Sequence, residues 1–159
     1  MVSVDVGVFF KGFHTDTSFS VGLDVDGQTQ KFLETGKKAL KKAIAEVKIG
    51  KHVYDISQAI ESVISGGGYT PIRALVGHGV GRELHEEPQI PCFVPGEVKE
   101  SPKIEEGMVF AVEVMYALGS AEAEILSDGW TIAMADGKIS ALFEETVAVT
   151  KIGPKVLTA

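Results

Sequence analysis

The stretch Val2–Val21, VSVDVGVFFKGFHTDTSFSV, decides how the rest of the chain is read. Val2, Val4, Val6 and Val8 alternate with Ser3, Asp5 and Gly7, the period-two pattern of a strand, and Lys11-Gly12 supplies turn chemistry. The return run places Phe13, Phe19 and Val21 on one face and His14, Asp16, Ser18 and Ser20 on the other. With residues 11 and 12 as the loop of a hairpin, Phe10 faces Phe13, Gly7 faces Asp16 and Asp5 faces Ser18. Asp5 and Asp16 are then diagonal neighbours on one face, and Gly7 leaves the space between them open.

Outward from the hairpin, apolar residues recur at three and four from Thr29 to Val47, predicting an amphipathic helix stopped by Lys48 and Gly50. A second helix is expected from Asp55, read as an N-cap with Gln58 three residues on, to the Gly66-Gly67-Gly68 break. Strands follow at Tyr69–Val76, Met108–Tyr116, Ala121–Leu126, Trp130–Met134 and Ser140–Thr150, with a Pro-rich loop over residues 88–102. Helices that cover a sheet, with no internal repeat or low-complexity linker, predict one α+β domain over residues 1–159.

Composition narrows the functional classes. At 159 residues with 45% hydrophobic and 23% charged residues, the chain suits a single globular core. No apolar run approaches the roughly 20 residues of a membrane span. MVSVDVGVFF has no basic leader region and carries Asp5 inside its apolar stretch, so it does not read as a signal peptide, and a cytoplasmic location is expected. A net charge of −7 argues against nucleic-acid binding, which depends on Lys and Arg at phosphates. Lys37, Lys38, Lys41 and Lys42 read as the solvated face of the first helix. The single Cys92 excludes an internal disulfide and a Cys-rich zinc site.

Five residues fit their surroundings poorly as structure and well as ligands: Asp5, Asp16, His78, Glu113 and Glu144. Glu113 is the most telling, because Gly107–Leu118, GMVFAVEVMYAL, is otherwise a buried-strand sequence, and an ionised carboxylate there requires a cation beside it. Glu144 lies between Phe143 and an apolar run, while the adjacent Glu145 points to the opposite face. His78 sits in GHGVG, where the flanking glycines allow close approach to the imidazole; the third glycine comes one place early for a phosphate-binding G-x-G-x-x-G. Four carboxylates and one imidazole are the donors that two neighbouring divalent ions take, which predicts a two-metal hydrolase. His85 is expected to contact substrate or to support a ligand, stabilising charge on a carbonyl oxygen.

The segments VSVDVGVFFKGFHTDTS, GHGVGRELHEEPQIP, EEGMVFAVEVM, DGWT and SALFEETVAVT resemble, in order and spacing, the successive motifs of type I methionine aminopeptidases. The resemblance implies a pita-bread fold, a curved antiparallel sheet backed by helices with a dinuclear site on its inner face. Residues 1–22 would be the ligand hairpin of the first half and residues 23–159 the second half. It implies that Asp5, Asp16 and Glu144 hold one ion and that Asp16, His78, Glu113 and Glu144 hold the other, Co²⁺, Mn²⁺, Fe²⁺ and Zn²⁺ all being acceptable. By the same resemblance His85 contacts the peptide group of the substrate, while Trp130 and Leu84 line a methionine side-chain pocket. The implied reaction removes an N-terminal methionine from a peptide or nascent protein by metal-activated water, with His85 and Glu113 as catalytic groups.

Departures from the family pattern shape further expectations. Family members carry a segment ahead of the first ligand strand, with a catalytic His and part of the methionine pocket, so the sequence reads as shortened at its N-terminus. Val114 and Glu145 replace a family Pro and His. Weakened turnover, or a metal-binding interaction module without turnover, is the alternative reading. A proline-specific peptidase of the same fold fits LHEEP and DGWT less well. Apolar surface from Val2 to Val8 is expected to be covered by a second copy or a complementary fragment.

Overall fold

The computed structural model describes residues 1–158. Strands β1 (Val2–Phe10) and β2 (Phe13–Val21) form the expected hairpin, with Gly7 opposite Asp16 and Asp5 opposite Ser18. The turn residues Lys11 and Gly12 both have positive φ, which the two-residue loop requires.

Helix α1 (Gly27–Glu46) starts two residues before the expected Thr29, because Asp26 caps it and accepts from the Thr29 N–H at 2.7 Å. Helix α2 (Val53–Gly66) corrects the reading of Asp55 as N-cap. The helix begins at Val53, and Asp55 in its first turn reaches back to accept from the His52 N–H at 2.8 Å.

The expected strand Tyr69–Val76 is two short ones, β3 (Thr70–Pro71) and β4 (Val76–Gly79), with a bend between them. The Pro-rich segment is not all loop, since Glu86–Pro91 forms β5. As an end strand that pairs only with β4, it tolerates prolines without a ladder N–H, while Pro88 and Ile90 turn inward. Next come β6 (Val109–Ala117), the small hairpin β7 (Ala123–Ile125) and β8 (Ile132–Met134), then β9 (Ser140–Thr150) and β10 (Gly153–Val156).

All main-sheet pairings are antiparallel, in the order β1-β2-β9-β6-β4-β5, with β10 beside β9 and β3 beside β6. The sheet has two unlike faces. Phe110, Val112, Val114 and Tyr116 of β6, with Phe143 and Val147 of β9, bury against α1 and α2 as the core. Gly36 lets α1 approach this closely: a Cβ there would meet the Phe143 ring at 2.5 Å and the Tyr116 hydroxyl at 2.6 Å. Tyr116 also donates its hydroxyl to the Phe32 carbonyl at 2.5 Å, fastening α1 to β6. Cys92 is a buried packing residue whose thiol is pushed up to about 12, chiefly by burial.

The seam between β2 and β9 contains a single register pair, Ser18 with Glu144. Side-chain hydroxyls take over where the ladder is absent. Thr146 accepts from the Asp16 N–H at 2.8 Å and donates to its carbonyl at 2.7 Å; Ser20 does the same for Leu142 at 3.1 and 2.9 Å. Both hydroxyls are fully buried, so the seam satisfies its backbone groups and locks the hairpin to the rest of the sheet. Among the described residues no helix is long and apolar enough to cross a membrane.

Candidate metal centre

The face of the sheet opposite the helices collects the acids. Period two puts Asp5 on β1, Asp16 on β2, Glu144 on β9 and Glu113 on β6 on that side, and the pairs Asp5–Ser18, Ser18–Glu144 and Glu144–Glu113 carry the row across four strands. His78 enters from β4 opposite Ala111 of β6. All five line one cavity of about 250 Å³, whose walls are completed by Leu75, Val76, His85, Met115 and Leu142.

Within it, ligand atoms of Asp16, His78 and Glu144 lie within 4.8 Å of one another. Glu113 Oε1 is 4.0 Å from His78 Nε2, and the Asp5 carboxyl lies against that of Asp16. His78 Nδ1 is 2.8 Å from the Gly79 carbonyl; since a carbonyl only accepts, Nδ1 donates this bond, which turns Nε2 toward the acids. Gly77 and Gly79 make room for this strand, because a Cβ on Gly77 would lie 2.7 Å from the Ala111 carbonyl oxygen and one on Gly79 would run into the Glu87 backbone.

The electrostatics are those of a site that awaits positive charge. Burial pushes Glu113 up to about 8, with Asp5 and Asp16 adding repulsion, and pushes Glu144 up to about 9, with Glu113 and Asp16 adding to it. Asp5 is raised for the same reasons, burial first and Asp16 second. Among the described residues no Lys or Arg pairs with any of the four acids. Ser18, at the centre of the row, has a buried hydroxyl with no hydrogen-bond partner. Hard oxygen donors with one imidazole, facing one space without a Lys or Arg among the described residues to compensate them, fit divalent cations.

The remaining sequence-identified residues fall around this cavity. His85 is exposed at its mouth, with its ring edge-on to His78 at 4.5 Å between centroids. Leu84 approaches Gly7, 3.5 Å from where a Cβ would stand, next to Asp16. Trp130 lies in the β7–β8 turn at 87% exposure and is not among the residues that line the cavity. Sequence reading passed over Met115, Leu142 and Thr146, although each stands two residues beyond or before a ligand acid on the same strand face, which is the signal that identifies them.

Comparison with known proteins agrees with this geometry. The profile of metallopeptidase family M24 matches residues 1–151. The chain is 38% identical over 159 residues to a methionine aminopeptidase of Clostridium perfringens, covering 99% of the chain and 63% of the relative. A methionine aminopeptidase of Borreliella burgdorferi is 44% identical, with the same two coverages. A crystal structure of methionine aminopeptidase from Thermotoga maritima superposes with a TM-score of 0.93 at 36% identity, over 98% of this chain and 62% of that one. The chain thus spans a little under two thirds of the length of these relatives. A match in sequence and fold along nearly the whole of this chain, with acids and an imidazole gathered on one sheet face, places the chain in metallopeptidase family M24.

Proposed function

We propose that the chain is the metal-dependent catalytic part of an aminopeptidase that removes methionine from the N-termini of peptides or nascent proteins. One observation carries this reading: Asp5, Asp16, His78, Glu113 and Glu144 line a single cavity, and among the described residues no Lys or Arg pairs with the four acids. These five would hold two divalent cations, with Mn²⁺, Co²⁺, Fe²⁺ and Zn²⁺ all compatible with the donor set. When bound, such ions supply Lewis acidity toward a carbonyl oxygen and make water acidic enough to act as a nucleophile near neutral pH.

The chain's own groups account for the rest of the chemistry. Glu113, which lines the cavity and would be ionised once cations are bound beside it, is suited to taking a proton from the attacking water and returning it to the leaving amine. His85, at the mouth, is placed to donate to the peptide oxygen as charge develops there. Leu75, Met115 and Leu142 form an apolar wall that limits water access, and Leu84 stands beside the Gly7 opening where a substrate side chain would enter. Trp130 closes over that side chain if the exposed β7–β8 turn folds down on substrate.

The purified chain with Mn²⁺ or Co²⁺ is expected to release methionine from a Met-Ala peptide. His85→Ala should lower kcat by about 10²-fold with little change in metal affinity, the scale for losing one preorganised donor. Metal uptake with no methionine release at any substrate concentration would contradict the proposal and favour a binding module.

A further inference from the structure

Asp16 and Glu144 stand on neighbouring strands that share a single register pair, Ser18 with Glu144. Continued in that register, the ladder would set Asp16 opposite Thr146 and Ser20 opposite Leu142. At Thr146 the peptide groups are already taken. The Leu157 N–H donates to the Thr146 carbonyl at 2.8 Å, and the Thr146 N–H donates to the Thr158 hydroxyl at 3.0 Å. Thr158 in turn donates to the Glu145 carboxylate. What reaches Asp16 instead is the Thr146 hydroxyl, which accepts from the Asp16 N–H at 2.8 Å and donates to the Asp16 carbonyl at 2.7 Å. Its donor and its acceptor are thus both engaged with one residue of the metal cavity. The reverse contact is present too, since the Thr17 hydroxyl donates to the Glu144 carbonyl at 3.1 Å. Each of the two acids is held at its backbone by a hydroxyl from the other acid's strand.

We propose that Thr146 is a positioning residue for the metal centre, its hydroxyl setting where Asp16 stands relative to Glu144. The inference rests on the reading of the five-residue cluster as a cation site. Asp16 and Glu144 are two of the three residues whose ligand atoms lie within 4.8 Å of one another, and Asp16 adds repulsion to Glu144. Among the described residues no Lys or Arg holds either acid in place. Carboxylates kept close before a cation arrives therefore depend on neutral groups that fix their backbones. Thr146 is fully buried and Asp16 is 8% exposed, so water does not readily replace this bridge. Ser20 provides the comparison. It makes the same two-way bridge, to Leu142 at 3.1 and 2.9 Å, but Leu142 carries no ligand atom.

Titration calorimetry of the metal-free chain with Mn²⁺ tests this. Thr146→Val keeps the side-chain shape and removes both bonds, and should weaken Mn²⁺ binding by about 10- to 100-fold, the scale for losing a group that supports a metal ligand. Thr146→Ser keeps the hydroxyl and should stay within about threefold of wild type. Ser20→Ala cuts the equivalent bridge and should also lower the melting temperature, yet leave Mn²⁺ binding within about threefold. In metal-free Thr146→Val the Asp16 amide should exchange its hydrogen roughly tenfold faster, while the Val112 and Val114 amides keep their protection. Wild-type affinity in Thr146→Val, or an equal loss of affinity in Ser20→Ala, would overturn the positioning role and leave the metal site standing. A wild-type chain that takes up no Mn²⁺ would overturn the proposal together with the reading beneath it. Should Thr146→Val fail to fold, the metal-free wild-type chain decides. An Asp16 amide as protected as those of β6 supports the proposal, and one that exchanges as fast as the exposed β7–β8 turn overturns it.

Discussion

Glu144→Gln is expected to lower Mn²⁺ affinity by at least 100-fold and to bring hydrolysis of a Met-Ala peptide below detection. Glu144 is 3% exposed, stands directly across from Glu113, and is one of the three residues whose ligand atoms converge within 4.8 Å. Glutamine keeps its shape but offers a weaker, neutral donor where cations need charge. The same change should act in the opposite direction on the metal-free chain. Removing one of several crowded acids relieves repulsion, so the metal-free melting temperature should stay level or rise while the Mn²⁺-induced increase disappears. Isothermal titration calorimetry and thermal melts with and without Mn²⁺ separate this pattern from simple misfolding, which would lower both melting temperatures.

The second large effect is an inverted dependence of stability on pH. For Glu113 and Glu144 the folded-state values, about 8 and about 9, lie above the ordinary 4.5. The folded chain therefore holds more protons than the unfolded chain between these limits, and stability falls as pH rises through the window. Stabilisation from the neutral carboxyls is complete only below the unfolded value of 4.5, declines from there, and is lost as pH rises through about 8 and about 9. For a chain of this size each kcal/mol shifts the melting temperature by about 2–4 °C, and a coupled pair losing a few kcal/mol should lower it by about 10 °C between pH 5 and pH 9. Asp128, held down to about 2 by hydrogen bonds from Thr131 and Trp130, pulls the other way only at more acid pH, outside this window. Saturating Mn²⁺ should flatten or reverse the slope, because cations bind the deprotonated acids. Melting curves of the EDTA-treated chain across this pH range provide the check, and a melting temperature that rises from pH 5 to pH 9 without metal would refute the crowding of the acids.

Much of this was legible in the sequence because it rests on short-range rules. A two-residue turn fixes hairpin register, so Asp5, Gly7 and Asp16 were placed correctly from Lys11-Gly12 and the alternation around it. An apolar run interrupted by one acid exposed Glu113, and Ser140–Thr150 was bounded at both ends by its pattern. What lay beyond reach depends on strand order. Nothing local says that β9 lies between β2 and β6, yet that order alone brings Glu144 between Asp16 and Glu113. Pro88 and Pro91 concealed β5, whose edge position makes them harmless. The seam built on Thr146 and Ser20 was also hidden, since a buried hydroxyl bridging a missing ladder leaves no periodic trace. Trp130 shows a different limit: it was read as the first residue of a strand, while β8 begins only at Ile132 and leaves Trp130 in the preceding turn at 87% exposure.

The central claim is that side chains from five strands form one receptacle for cations. Diffraction data from crystals grown with Mn²⁺ and recorded at the manganese absorption edge address it most directly. Two anomalous peaks a few ångström apart, within coordination distance of Asp5, Asp16, His78, Glu113 and Glu144, are the expected result. An ordered cavity in the same crystals with no anomalous signal among these residues would contradict it.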